Sequence, residues 1–438
     1  MNDEPNRRLS VFSLAILLVS AHYGLGFLLG TAEEAIGSGV AGSLYAVSVS
    51  LGALALIALV KFYWTEIEQI WTLLGKDYGK TVKAGVGFMS WASLIGIEAV
   101  QIIAAAAILN VVGIPKLVSM VGLTLLFGIL SLLPVERASW IFRGLLLFNV
   151  LVLFYALWRL HGLPLYWRSP LEFIPALGHV SRAESLGVAI STVLLVSIDM
   201  KCQQFIVQAR DIRTAALGCL LASVTLFALA FLPAAVAIAA TEAGILPADI
   251  GGKAVIPYVL AWAGGGASSP WGIVAIAALT VPALGLGSNV LRIQSKTVLD
   301  WEIVPASLLN RIWIATVNAM LALAIALKGG QIVGLILCFY AAYLSAVWIP
   351  FLAYLLARKG FYAFAVISVQ TSLAAGSLSA LLTLLVTLFH PQTLLFGSPE
   401  LTIMAIGMGC SSLGLLAAES YHLGIVFIGE REKVKGER

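Results

Sequence analysis

Charge is what this sequence has least of. Of its 438 residues, only 11% are Asp, Glu, Lys or Arg. A chain of that length folded in water needs far more polar surface, so a soluble globular protein is excluded. Cysteine is scarce as well. Cys202, Cys219, Cys338 and Cys410 follow no regular spacing and form no C-x-x-C pair, which leaves neither a disulfide framework nor a cysteine-paired metal site to expect. Catalytic motifs are missing: there is no H-E-x-x-H, no Walker glycine-lysine loop and no carboxylate pair in a hydrolytic setting. GLGSNV at 285–290 echoes a dinucleotide glycine motif, but no strand precedes it and it lies inside an apolar run. The chain reads as a non-enzyme, and any active transport must draw on an ion gradient or a partner chain.

What is abundant is apolar sequence, 60% of the residues. Runs long enough for a helix to cross the hydrocarbon layer recur throughout. Twelve spans are expected, at 9–30, 40–63, 82–111, 116–133, 138–158, 184–205, 213–243, 269–298, 306–328, 330–357, 361–389 and 399–429. The run AVIPYVLAWA (254–263) is too short to span and reads as a helix packed into an outer loop; 159–183 and 244–268 are the longest loops. Most of the lysines and arginines then fall on one side, among them Arg7, Arg8, Lys61, Lys76, Arg137, Arg210, Arg358 and Lys359, while Lys116, Arg159, Arg168, Arg182, Lys253 and Lys328 fall on the other. The positive-inside rule places both termini in the cytoplasm, with the plasma membrane as the location. The net charge of +4 reflects this topology and lipid contact, not nucleic acid. The N-terminus has some look of a secretory signal, but the apolar run continues through Leu29, so retention is expected.

Two spans are poor lipid helices. The first carries SAHYGLGF (20–27) at its centre, and the sixth runs into IDMKCQQ (198–204). Interruptions in the first and sixth spans point to inverted five-helix repeats with a binding site between them. An unwound turn leaves backbone groups unpaired, which is tolerable in a membrane only beside a ligand, an ion or a water-filled cavity. Gly24 and Gly26 are expected to let the chain leave helical geometry, while Ser20, His22 and Tyr23 supply donors and acceptors for a solute. The alternative is a continuous helix packed through small residues, with His22 bonded to a neighbour. GTAEEAIGSG (30–39) reads as an external turn, or as an acidic vestibule that gathers cations. Asp199 is expected near the cytoplasmic end of the sixth helix, bonded to Lys201 or to a helix end.

Local patterns also carry a resemblance. TEIEQIWTLLGKDYG (65–79), IEAVQIIAAAAILNVVGI (97–114), DMKCQQFIVQARDIRTAALG (199–218) and LSAVWIPFLAYLLARKG (344–360) occur in order on the appropriate spans. Together they resemble the sodium:solute symporter family, from about Ser13 to about residue 385. The extra helix that usually precedes the family's first core span has no counterpart here. The resemblance implies an all-α membrane protein of the leucine-transporter type: about twelve transmembrane helices, a five-plus-five inverted repeat (about 9–158 and 184–357) with broken helices 1 and 6, and extra helices at about 361–429. It implies alternating access, with a small solute held at mid-membrane by Ser20, His22, Tyr23, Gly24, Gly26 and Gln101. It maps the family's sodium-binding carbonyls to Ile16 and Val19.

The ion site departs from that pattern. ALGLGSNVLRIQSKTVLDW (283–301) keeps Ser288, but places Leu284 and Gly285 at the two hydroxyl positions and Gly287 at the acidic one. LLPVERASWIFR (132–143) places Trp140 at the family's aspartate and Arg143 at its glutamine. Sodium requires several close oxygens, which leucine and glycine side chains do not offer. Thr280, one turn earlier, is the remaining hydroxyl. Two substitutes for sodium are open: a fixed cation, Arg143 or Arg292, or a proton carried by Glu98, which shares a helix face with Gln101 at the i, i+3 spacing. His22 is the other titratable candidate. The expected function is secondary transport of a small polar solute with a degraded sodium site; the coupling ion is sodium, a proton, or none. The alternative is a solute sensor or membrane subunit that binds without moving its ligand.

Overall fold

The computed structural model describes residues 7–66, 69–132, 139–301, 304, 305, 307–390 and 394–436, and the side chains of 139–143, 146 and 425–436 lie outside that description. Among the described residues the chain is helical, save a single parallel bridge between Leu9 and Ala209. Helix α1 (Val11–His22) is followed by a π-helical turn (Gly26–Gly30), α2 (Thr31–Ser38), a 3-10 turn (Gly39–Ser43), α3 (Leu44–Ala55), a second 3-10 turn (Leu56–Leu59) and α4 (Val60–Thr65). Then come α5 (Ile70–Tyr78), α6 (Lys80–Val111), α7 (Lys116–Ser131), α8 (Ser139–Arg159), α9 (Leu163–Leu177), α10 (Arg182–Ile198), α11 (Met200–Val207), α12 (Ile212–Ala230) and α13 (Leu232–Glu242). The last are α14 (Val255–Ala263), α15 (Pro270–Leu299), α16 (Leu308–Lys328), α17 (Ile332–Arg358), α18 (Val366–Phe389) and α19 (Pro399–Gly436).

Helix starts follow local chemistry. Ser10, Ser181, Asp211, Ser269 and Ser307 each accept a backbone N–H of the first turn, at the heads of α1, α10, α12, α15 and α16. Among the described residues, 8 helices are long and apolar enough to cross a membrane, or up to 10 if each bent pair is one span; α1 and α7 are shorter apolar helices. This is an integral membrane protein.

Two expectations change, and a third holds. Residues 30–39 are not a turn but mostly helix, α2, and the chain reverses only at Gly39 with φ 58°. The 159–183 loop contains α9, bent 103° from α8. Three prolines disguise that helix in the sequence, yet it buries Tyr166, Ser169 and Phe173 while exposing Trp167, Leu171 and Ile174, the two-faced pattern of an interfacial helix. The apolar run at 254–263 does form the short buried helix α14.

The chain divides into two compact units, Met1–Ile67 with Leu94–Leu337, and Glu68–Ser93 with Cys338–Arg438. In the first, α1 packs on α12 and α11, α3 on α10 and α12, and α15 on α7, α8, α14 and α16. Small residues permit these approaches: a Cβ on Gly218 would stand 2.6 Å from Leu14, and one on Gly52 2.6 Å from Val196. In the second unit α18 and α19 pair closely, with the Ser372 and Ser411 hydroxyls 2.9 Å apart between them. The Tyr362 hydroxyl and the Ala365 N–H both donate to Glu419.

Candidate functional site

The interruption of the first span is a defined turn. The Tyr23 N–H donates to the Val19 carbonyl at 2.8 Å, closing α1, and the Gly24 N–H donates to the His22 carbonyl at 2.9 Å. With φ −77° and ψ 75°, Tyr23 is the centre of an inverse γ-turn. The helix resumes when the Leu28 N–H reaches the Gly24 carbonyl at 3.0 Å. The break therefore sits at Tyr23 and Gly24, and Gly26 is already inside the following helical turn. Gly24 thus lies in the break, as expected, whereas Gly26 does not, and neither glycine has a positive φ. Gly26 serves packing: a Cβ there would stand 2.6 Å from Ile336 Cδ1.

A second break lies between α10 and α11, bent by 41°. Asp199, with φ −66° and ψ 123°, ends α10, and its carboxylate accepts the Lys201 N–H at 2.8 Å to begin α11. Asp199 thus bonds Lys201 at a helix end, as the sequence suggested, and stands at the bend between α10 and α11. The two breaks face each other. His22 Nε2 lies 3.2 Å from Cys202 Sγ, and ligand atoms of His22, Asp199 and Cys202 all lie within 4.8 Å of one another. His22 and Asp199 are half-buried and Cys202 is buried. Sequence reasoning found His22 but not its partners, because 180 residues separate His22 from Cys202.

Among solved structures, the chain is similar over 94% of its length to a Na+-coupled sialic acid symporter in a substrate-bound outward-open state, covering 90% of that chain at 13% identity with a TM-score of 0.61. A manganese transporter from Eremococcus coleocola, in complex with an aromatic bis-isothiourea substituted compound, aligns over 95% of this chain and 98% of its own, at 14% identity and a TM-score of 0.45. No family model matches the sequence, and no curated protein does. The fold is that of an all-α membrane transporter.

Within that fold the residues expected to hold a solute are placed as follows. The Ser20 hydroxyl donates to the Leu17 carbonyl at 2.9 Å, inside α1. Tyr23 is 3% exposed, its ring 5.1 Å from that of Phe27, and its hydroxyl has no partner among the described residues. Gly24 lies beside Leu286 of α15. Gln101 on α6 is buried, with Oε1 unpartnered among the described residues.

The expected ion ligands are less convergent. The Val19 carbonyl already accepts the Tyr23 N–H, and the Ile16 side chain is exposed. The Thr280 hydroxyl donates to Ile276 at 2.8 Å and the buried Ser288 hydroxyl to Gly285 at 3.2 Å, both within α15. Gly287 abuts the Phe127 ring, where a Cβ would stand 2.5 Å away, so an acidic side chain has no room there. Arg292 Nε donates to the Ser131 carbonyl at the end of α7, which ties two helices together. The side chain of Arg143 lies outside the described residues. Glu98 is fully buried, and neither carboxyl oxygen has a partner among the described residues.

Ties bracket the breaks. At one end Leu9 exchanges backbone bonds with Gln208 and Arg210, the Trp64 indole donates to the Ala209 carbonyl, and the Arg7 guanidinium lies 3.8 Å from the Trp64 ring centroid. At the other end the Glu33 carboxylate accepts the Ile332 N–H at 2.9 Å and stands 3.6 Å from Lys253 Nζ, which donates to the Gly330 carbonyl. Glu33 is therefore engaged in a latch, which replaces the vestibule expected for it. A separate cavity of about 360 Å³, lined by Phe148, Val152, Tyr155 and Trp271 among others, holds none of the expected site residues.

Proposed function

We propose that the protein is a secondary transporter that moves a small polar solute across the plasma membrane by alternating access, with both termini cytoplasmic and the two broken helices holding the solute. The observation that carries this reading is the meeting of the two breaks, at Tyr23–Gly24 and at Asp199, with His22, Asp199 and Cys202 between them. Breaks in the first and sixth spans are what a five-plus-five inverted repeat produces. The 12 residues of α1 span about 18 Å, which puts the break near the centre of a hydrocarbon layer of about 30 Å. The ties at Leu9–Gln208 and at Glu33–Ile332 lie at opposite ends, and alternating access opens one while the other stays closed.

Coupling in this reading is to protons and not to sodium. Thr280 and Ser288 spend their hydroxyls within their own helix, and Phe127 fills the space beside Gly287. Glu98 offers what a proton carrier needs: a carboxyl inside a membrane helix, away from water, with both oxygens free of protein donors among the described residues. The test begins with a thermal-shift screen of sugars, amino acids, vitamins, carboxylates, urea and inorganic anions, since a ligand stabilises the state it binds. Uptake of the hit is then measured in proteoliposomes under separate sodium and proton gradients. A proton gradient should drive uptake and a sodium gradient should not. Sodium-driven uptake abolished by Ser288→Ala would refute the coupling assignment, and ligand binding without flux under either gradient would favour a sensor.

A further inference from the structure

We infer that His22, Asp199 and Cys202 form a binding site for a divalent transition-metal ion of borderline softness, of which Zn2+ and Co2+ are the simplest probes. The inference concerns binding and stands apart from whether the protein moves a solute.

The donor set is specific. Imidazole nitrogen, thiolate sulfur and carboxylate oxygen together select Zn2+, Co2+ or Ni2+ over Mg2+ and Ca2+, which take oxygen alone. Three protein ligands leave a fourth tetrahedral position open, as in zinc sites that keep a place for water or a ligand. The separations suit one ion. Tetrahedral bonds of about 2.3 Å to sulfur and about 2.0 Å to nitrogen place those atoms about 3.5 Å apart. Here His22 Nε2 and Cys202 Sγ are 3.2 Å apart, and the whole set lies within 4.8 Å. Closing the widest pair allowed by that limit onto one ion takes a shift of roughly an ångström or a little more, shared between its two side chains.

Each break brings together one helix C-terminus and one N-terminus: α1 ends at His22 and the chain turns helical again at Gly24 to Leu28, while α10 ends at Ile198 and α11 begins at Met200. The helix ends therefore favour neither sign of charge, and the donor set carries the site. The Lys201 N–H that binds Asp199 Oδ1 fixes the carboxylate's orientation, the role that outer hydrogen bonds play for metal-binding carboxylates. Cys202 is fully buried while His22 and Asp199 are half-buried, so the ion would be shielded on one side and reachable from the other. Without an ion, the His22–Cys202 contact is a hydrogen bond that joins the two broken helices; with one, the thiol gives up its proton and the sulfur binds as thiolate.

The test is equilibrium dialysis of the full-length protein, purified without a histidine tag, against Zn2+, Co2+ and Mg2+. About one Zn2+ or Co2+ should be retained per chain, and no Mg2+. The Co2+ form should show a thiolate-to-metal charge-transfer absorption that Cys202→Ser abolishes. His22→Ala and Asp199→Asn should each weaken binding by about tenfold or more, while Cys219→Ala leaves it unchanged. Melting curves of each variant establish that it is folded. No retained ion, a Co2+ spectrum without the thiolate band, or binding that survives Cys202→Ser in folded protein would each overturn the site. None of these results depends on flux, so failure here leaves the transport reading standing.

Discussion

At the scale of single residues, the first break is centred on Tyr23, with Gly24 closing the turn and Gly26 already beyond it. The HYGLG stretch announced an interruption, but which residue would turn was not legible, because an inverse γ-turn is open to any L-residue and leaves no compositional mark. Gly287 is a different case. Its Cβ position is taken by the Phe127 ring at 2.5 Å, so Gly287→Ala should destabilise the protein by about 1–3 kcal/mol, read as a lower melting temperature, and Phe127→Leu should recover part of the loss. Glu98→Gln keeps the shape of the side chain and removes the proton. It should abolish the response of uptake to a proton gradient while ligand-induced thermal stabilisation persists. Asp211, at the head of α12 and outside the spans, is held below the usual carboxylate range, chiefly by the Thr214 N–H. Its native form gives up the proton more readily than the unfolded chain does. Its capping contribution is therefore complete above about pH 4 and fades as the pH falls through the lower native value. Asp211→Asn should flatten that acid limb of stability.

At the scale of elements, the sequence marked long apolar helices well and marked their interruptions imperfectly. Spans such as 82–111 and 330–357 correspond closely to α6 and α17, because twenty or more apolar residues permit little else in a membrane. Helix α2 was hidden by its two glutamates and flanking glycines, which by local rules read as a turn. It forms because tertiary contacts use them: Glu33 binds Ile332 and Lys253. The close return of the chain after α2 depends on Gly42, where a Cβ would collide with the Ala35 amide nitrogen and stand 2.6 Å from its Cα. Backbone cannot yield as a side-chain tip can. Gly42→Ala should therefore lower the yield of folded protein sharply, whereas Gly26→Ala meets only the end of Ile336 and should be tolerated. Breaking the latch with Glu33→Gln should leave the protein folded and shift the equilibrium toward opening at that end, seen as faster labelling of a cysteine placed at Ile332.

At the scale of the whole molecule, the fold was within reach of the sequence because interrupted first and sixth spans carry a topological meaning that composition alone does not. The site was only half legible: His22 stands in the conspicuous stretch, whereas Asp199 and Cys202 gain their roles from a three-dimensional meeting. That meeting supplies a probe needing no knowledge of the solute. With Cys219, Cys338 and Cys410 replaced by alanine, Cys202 is the sole thiol, buried at the junction of the two breaks. Its reaction with a membrane-impermeant maleimide can be followed in right-side-out and inside-out vesicles. A carrier that opens alternately should expose Cys202 to both faces, with slower labelling in either when the stabilising ligand from the thermal-shift screen is bound. Labelling from one face alone, or from neither, would contradict alternating access at this junction.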